Sequence, residues 1–236
     1  MVSVVLPIFN EEQNLEPLME EIAAALAEVP HEVVAVDDGS TDGSLDRIRT
    51  LQRRFPTLRV IVLDGRSGQS AATAAGFDAA RGDVVVTLDA DGQNDPRDIS
   101  LVLQTLERNP ASAAVVGYRV ARHDSRWKRL QSRIANTVRN LITRDRIRDI
   151  GCSLKAVRRS VWHDIPRFDG MHRFLPTLVR ARGGHVLEVP VSHRPRVYGQ
   201  SKYGMRNRAW RGLVDALGVG WYRRRTLTYL IKEDSE

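Results

Sequence analysis

The chain has 236 residues, 42% of them hydrophobic, and 36 Lys plus Arg against 29 Asp plus Glu give a net charge of +7. This is the make-up of a soluble globular protein with enough chain for a real core, which excludes disordered and collagen-like classes, and a single cysteine, Cys152, excludes an internal disulfide or a cysteine-rich metal site. No run of about 18 apolar residues is present to span a bilayer as a helix, and the first residues lack the basic start of a signal peptide, so a cytoplasmic protein is expected.

In chain order, five short β-branched runs read as strands: Ser3 to Leu6, Glu32 to Val36, Arg59 to Leu63, Val84 to Leu88 and Ala113 to Val116. They are continuously apolar rather than alternating, the pattern of strands covered on both faces in a parallel sheet. Leu15, Leu18, Ile22, Leu26 and Val29 form one helical stripe between the first two, with Asn14 as the expected cap and Pro17 in the first turn. A second helix is expected after Ser40 and Thr41, and a third over Ser70 to Ala80, ending at Gly82. A fourth starts with Asp95 at the cap, Pro96 at the first position and Asp98 in the first turn. Strand and helix alternating in this way predict a doubly wound α/β fold, whose ligands bind outside the carboxyl ends of the strands.

Acidic residues fall at two of those ends. Asp37 and Asp38 follow the second strand, and Asp89 and Asp91 follow the fourth, with Gln93 two residues on. Carboxylates two apart where a strand opens into a loop can turn toward one hard cation, and Gln93 offers a further oxygen. A lone Asp in such a place is a turn former or a cap. A dinucleotide fold would need Gly-x-Gly-x-x-Gly after the first strand, where this chain has Pro7-Ile8-Phe9-Asn10-Glu11, and there is no phosphate-binding loop ending in Lys-Ser/Thr.

The second half differs in charge. Residues 1 to 110 carry a net −10 and residues 111 to 236 a net +17. Such a split suggests an acidic half that holds a cation and a basic half that meets an anion. Trp127, Leu130, Ile134, Val138 and Leu141 lie on one helical face, with Lys128, Arg129, Arg133 and Arg139 off it. Trp210, Leu213, Val214, Leu217 and Trp221 repeat the pattern, with Arg208, Arg211 and Asp215 away from that face and Arg223 to Arg225 following. Each is a basic amphipathic helix suited to an anionic membrane surface, or to packing on the sheet or on another subunit. Cys152 reads as a small packed residue, and the six histidines show no zinc spacing.

The strings Val4-Val5-Leu6-Pro7-Ile8-Phe9-Asn10-Glu11-Glu12, Val36-Asp37-Asp38-Gly39-Ser40-Thr41-Asp42, Gly68-Gln69-Ser70-Ala71-Ala72 and Leu88-Asp89-Ala90-Asp91-Gly92-Gln93-Asn94-Asp95-Pro96 resemble family 2 glycosyltransferases. More narrowly they are similar to the branch of dolichyl-phosphate mannose synthases and polyprenyl-phosphate glycosyltransferases. Asp149-Ile150-Gly151-Cys152-Ser153-Leu154-Lys155, Gly170 to Pro176, His193-Arg194-Pro195-Arg196 and Gly199 to Tyr203 extend the resemblance over roughly residues 2 to 210.

The resemblance implies a GT-A (Rossmann-like) fold, a mostly parallel sheet flanked by helices with C-terminal basic amphipathic helices. It divides the chain into a catalytic domain over 1–204, with a nucleotide-sugar and metal half (1–110) and an acceptor half (111–204), and a membrane- or subunit-contacting helix and tail over 205–236. Pro7, Phe9, Glu11, Asp37, Asp38, Gln69, Asp89, Arg196, Ser201 and Lys202 would bind the nucleotide sugar, and Asp89, Asp91 and Gln93 would hold Mg2+ or Mn2+. Arg119 and Arg129 would hold the acceptor phosphate. Asp149, with Asp91, is the catalytic candidate, as a base or an organiser; an ion pair with Arg146 or Arg148 or a helix cap is the alternative. His172 and Arg173 would flank the sugar pocket or make a structural hydrogen bond, and His193 would support the phosphate site.

The expected activity is metal-dependent, inverting transfer of one sugar from a UDP- or GDP-hexose to a polyprenyl phosphate, at the inner face of the cytoplasmic membrane. The Gln-x-x-Arg-Trp motif of processive synthases is absent, which favours single transfer. A homo-oligomer or a membrane-protein partner is compatible with this, and nucleic acid is not expected as a partner. Transfer to a hydroxyl acceptor is the alternative enzyme, and it would need a true base at Asp149. A non-catalytic membrane- or nucleic-acid-binding protein would leave the acidic strand ends unexplained.

Overall fold

The computed structural model describes residues 1–120, 137–196, 198 and 205–227, the side chains of 205–211 excepted. Alternation along the first strand sets the layers. In β1 (Val2–Ile8), Val4, Leu6 and Ile8 face one side of a sheet and Val5 the other, all almost fully buried. The first side is covered by α1 (Glu12–Ala25), α2 (Ser44–Arg54) and α4 (Asp98–Arg108), through Leu15, Ile22, Ile48, Leu51, Ile99 and Leu106. The second is covered by α3 (Gln69–Ala79), a 3-10 turn at Arg159–Asp164, α6 (Met171–Ala181) and α7 (Met205–Arg225). Between them, helical residues 137–143 form α5.

The remaining strands are β2 (His31–Asp37), β3 (Leu58–Val62), β4 (Val84–Thr87), β5 (Ser112–Arg119), β6 (Lys155–Arg158) and β7 (His185–Val191), in the order β3-β2-β1-β4-β6-β5-β7. All run the same way except β6, which is antiparallel to both β4 and β5. The carboxyl ends of β1, β2, β4, β5 and β7 therefore lie along one edge, and the reversal of β6 brings its first residue, Lys155, to the same edge opposite Thr87.

Several boundaries differ from expectation. α1 begins at Glu12, and Asn14 does not cap it; its amide donates to the Glu11 carboxylate at 2.7 Å. Pro17 lies inside the helix, where its missing N–H leaves one carbonyl without a helical donor. α4 begins three residues after Asp95, because Asp98 N and Ile99 N donate to the Asp95 and Pro96 carbonyls in a preceding turn. β6 and β7 were not anticipated. Cys152 is buried in the core as expected. Arg139 is also buried, bonded to the Ile147 carbonyl, so it does not belong to an exposed basic face. Asp215, placed away from the α7 stripe, pairs with Arg173 at 2.7 Å.

Candidate active site

At the end of β1 the chain turns through Asn10 at φ 54°, and Glu11 N donates to Ser44 Oγ at 2.9 Å, which fixes the Pro7 to Glu11 segment against the start of α2. Phe9 presents its ring to the Arg66 guanidinium, 4.2 Å from the centroid. The two aspartates after β2 have separate tasks. Asp38 accepts from Ser67 N at 2.6 Å and from Gly68 N at 2.9 Å, so it holds the loop that leads into α3. Gly39 lies beneath that loop at φ +69°, and a Cβ there would stand 2.7 Å from Arg66 N. Asp37 accepts from Ser40 N through Oδ2 at 3.2 Å, while its buried Oδ1 has no hydrogen-bond partner among the described residues.

The loop after β4 carries the second acidic pair. Asp89 N donates to Ser153 Oγ at 3.1 Å, and Asn94 Nδ2 donates to the same oxygen at 2.7 Å, so Ser153 pins the loop from the segment that leads into β6. Gln69 Nε2 donates to Asp89 Oδ1 at 2.7 Å. Burial, and next the charge of Asp91, push the Asp89 carboxyl up to about 6. Arg196 lies against Asp91 with Nη2 2.5 Å from Oδ2, and its other nitrogen is 3.8 Å from Glu11. Two neighbouring carboxylates, one of them resisting ionisation, form a donor set that a divalent cation would relieve. They fit Mg2+ or Mn2+, which take one or two protein carboxylates and complete their shell with substrate phosphates and water. Gln93 does not join the pair here; its amide is directed at the Arg194 carbonyl, 3.5 Å away.

The acceptor-side candidates form one unit. Arg119 donates from Nε to Asp149 Oδ2 at 2.7 Å and from Nη2 to Oδ1 at 2.9 Å, a bidentate pair at the end of β5. Asp149 thus takes the ion-pair alternative, with Arg119 in place of Arg146 or Arg148. Burial alone would lower the Arg119 pKa, but the bonds to Asp149 and its charge raise it. Arg194 bridges Asp95 and Glu21 at 2.7 Å each, and His193 pairs with Asn94 as an isolated bridge. These contacts fasten the segment that carries Arg196. Arg129, Ser201 and Lys202 lie outside the described residues, as do the side chains of Trp127 and Trp210.

Between β4, β6 and the first turns of α3 and α6 lies a pocket of about 110 Å³ lined by Pro7, Gln69, Asp89, Lys155, His172 and Arg173, among others. Ser70 Oγ and His172 Nδ1 are 2.7 Å apart, which joins the two helix starts. Burial, then the charges of Lys155 and Arg173, lower the His172 imidazole to about 3, so it is neutral at pH 7. The sequence reading missed Lys155 and Ser153 as site residues; their signal was the Cys152-Ser153-Leu154-Lys155 stretch just after Asp149.

A family model described as glycosyl transferase family 2 matches residues 3–165. The chain belongs to glycosyl transferase family 2. Among members of this family, dodecaprenyl-phosphate galacturonate synthase of Rhizobium johnstonii is 40% identical over 229 residues, covering 94% of this chain and 67% of that protein. Undecaprenyl-phosphate 4-deoxy-4-formamido-L-arabinose transferase of Pseudomonas aeruginosa is 39% identical over 207 residues, covering 86% and 60%. The chain thus spans about two thirds or less of the length of these relatives. Its fold is that of glucosyl-3-phosphoglycerate synthase from Mycobacterium tuberculosis, with a TM-score of 0.72 at 21% identity over 93% of this chain and 80% of that one. The mycobacterial enzyme has also been solved with Mg2+ and UDP, at a TM-score of 0.71, 20% identity and the same two coverages. The family 2 assignment and this likeness give the GT-A fold that the motifs implied.

Proposed function

We propose that this chain is the catalytic unit of a glycosyltransferase that moves one sugar from a UDP- or GDP-sugar to a polyprenyl phosphate. The observation that carries the reading is the Asp89 and Asp91 pair beside Pro7, Phe9 and Asp37 on one sheet edge, with the Arg119–Asp149 pair farther along it. Kinship to two polyprenyl-phosphate sugar transferases supports the acceptor class. Residues 1–204 would form the catalytic domain and 205–236 its membrane- or subunit-contacting extension.

In this reading Phe9 and Arg66 receive the base, and Asp37 accepts a hydrogen bond from the nucleoside through the oxygen that has no partner among the described residues. Asp89 and Asp91 hold Mg2+ or Mn2+, which when bound supplies positive charge to the diphosphate leaving group. Arg196 leaves Asp91 for the diphosphate, with Ser201 and Lys202 as further donors. Arg119, oriented by Asp149, and Arg129 position the acceptor phosphate. A phosphate oxygen attacks the anomeric carbon from the face opposite the leaving group, the bond from that carbon to the diphosphate breaks, and configuration inverts. A phosphate monoester is already an anion near pH 7, so no base is needed, and Asp149 serves as an organiser. A hydroxyl acceptor would need a free base, and the bidentate bond of Asp149 to Arg119 disfavours that role.

Among the described residues no helix is long and apolar enough to cross a membrane. Leu213, Val214, Leu217 and Trp221 of α7 are exposed, as are Val138 and Leu141 of α5, and Arg223 to Arg225 close α7. These residues support attachment to the inner face of an anionic membrane, where a polyprenyl phosphate would be met.

The test is release of nucleoside diphosphate from UDP- and GDP-sugars with Mn2+ or Mg2+, with and without a short polyprenyl phosphate. Release that requires both metal and lipid phosphate is expected, and Asp91→Ala should lower it by at least about a hundredfold while weakening metal-dependent nucleotide binding. Unchanged turnover and nucleotide affinity in that variant would remove Asp91 from the site.

A further inference from the structure

The two relatives are named for sugars of different charge, one an acidic galacturonate and the other a neutral formamido sugar, so kinship leaves the donor open. The pocket beside Asp89 narrows it. The pocket is open to solvent and adjoins the carboxylates proposed to hold the diphosphate, so a sugar linked to that diphosphate would present its substituents to it.

The charged side chains of its lining are Lys155 and Arg173 against Asp89. Lys155 is 4% exposed, its one hydrogen bond among the described residues is to the Cys152 carbonyl at 2.6 Å, and no carboxylate oxygen among them lies within 4.0 Å. Burial pulls its pKa down, and the charges of Asp89 and Asp149 oppose this only from beyond ion-pair distance; a buried ammonium without a direct partner is costly, and such groups are normally paired. Arg173 adds a second cation, already paired with Asp215. Two helices of 11 residues, α3 and α6, begin at this pocket with Gln69 and His172 on its wall, and each directs the positive end of its dipole toward it. His172 contributes no charge.

On the reading of the site as a nucleotide-sugar pocket, we infer that it takes a donor whose sugar carries a carboxylate, a hexuronic acid, with Lys155 pairing that carboxylate. Lys155 is then the residue that separates acidic from neutral sugars, since a neutral hexose would leave its ammonium without a direct ion-pair partner.

The experiment measures binding to the Mn2+-loaded protein of UDP, UDP-galacturonate, UDP-glucuronate, UDP-galactose, UDP-glucose, GDP, GDP-mannuronate and GDP-mannose. At least one hexuronate should bind about tenfold or more tightly than its matching hexose. Lys155→Met should reduce that preference to near unity with nucleoside diphosphate affinity unchanged, and Lys155→Arg should retain it. Unaltered diphosphate affinity also shows that Lys155→Met is folded. Equal binding of hexose and hexuronate by the unsubstituted protein overturns the inference and leaves the transferase reading standing. A preference that persists in Lys155→Met, with only the KM for polyprenyl phosphate raised, overturns it in favour of the acceptor phosphate as the anion. Failure of any nucleotide or nucleotide sugar to bind overturns the donor reading itself, and this inference with it.

Discussion

Asp37 and Asp38 are adjacent and identical in type, yet their surroundings give them different work. Asp38 spends its carboxylate on Ser67 N and Gly68 N, whereas Asp37 keeps one oxygen without a partner among the described residues. The family resemblance implied both as nucleoside ligands, since a motif cannot show which N–H groups a distant loop returns. His172 likewise acquires its character from burial. Its imidazole would protonate near 6.5 in the unfolded chain and does so near 3 in the fold, so between those values the unfolded state binds more protons. Its contribution is complete above pH 6.5 and is lost as pH falls toward 3, with a ceiling of about 5 kcal/mol. Between pH 7.5 and 5 the unsubstituted protein should lose about 2 kcal/mol more stability than His172→Gln, measured by urea unfolding at both pH values. Parallel losses in the two proteins would show that the ring is hydrated in the fold.

Among elements, α3 carries Gln69, Ser70 and Thr73 to the site, and its seat on the sheet depends on a single small residue. A Cβ on Gly76 would lie 2.3 Å from Val5 Cγ1, so α3 and β1 approach more closely than any larger residue permits. Gly76→Ala should cost about 1–3 kcal/mol through overpacking, lowering the denaturant midpoint with little change in slope. A midpoint at or above that of the unsubstituted protein would mean that α3 shifts freely on the sheet. The strands with long β-branched runs were legible, because burial on both faces demands such residues. β6 was not, since four residues, Lys-Ala-Val-Arg, show no period and become a strand only between β4 and β5. β7 interrupts its apolar pattern with Glu188 and Pro190, which an edge strand tolerates.

Across the whole molecule, the acidic first half carries the residues proposed for metal and nucleotide, and the basic second half carries those proposed for the acceptor, together with α7. The apolar stripe of α7 faces outward, with Leu217 54% and Trp221 64% exposed, while Ala216 and Val219 of the same helix are buried in the core cluster that includes α6. Leu217→Glu with Trp221→Glu should lower binding to phosphatidylglycerol vesicles by about tenfold or more, read by co-sedimentation, without altering nucleotide affinity. Unchanged vesicle binding accompanied by loss of a dimer in size-exclusion chromatography would make this stripe a subunit contact.

The residues by themselves determined the α/β class, the places of the first five strands along the chain and the acidic strand ends, because apolar periodicity and turn chemistry are local properties of the chain. They also carried the family resemblance, which lies in short motifs that keep their order. Tertiary structure alone decided that Asp149 is bound by Arg119, that Gln93 is directed at Arg194, and that the reversed β6 delivers Lys155 to the ligand edge. These outcomes depend on pairings between segments tens of residues apart, where competition among charges and hydrogen-bond donors is settled only once the sheet has assembled.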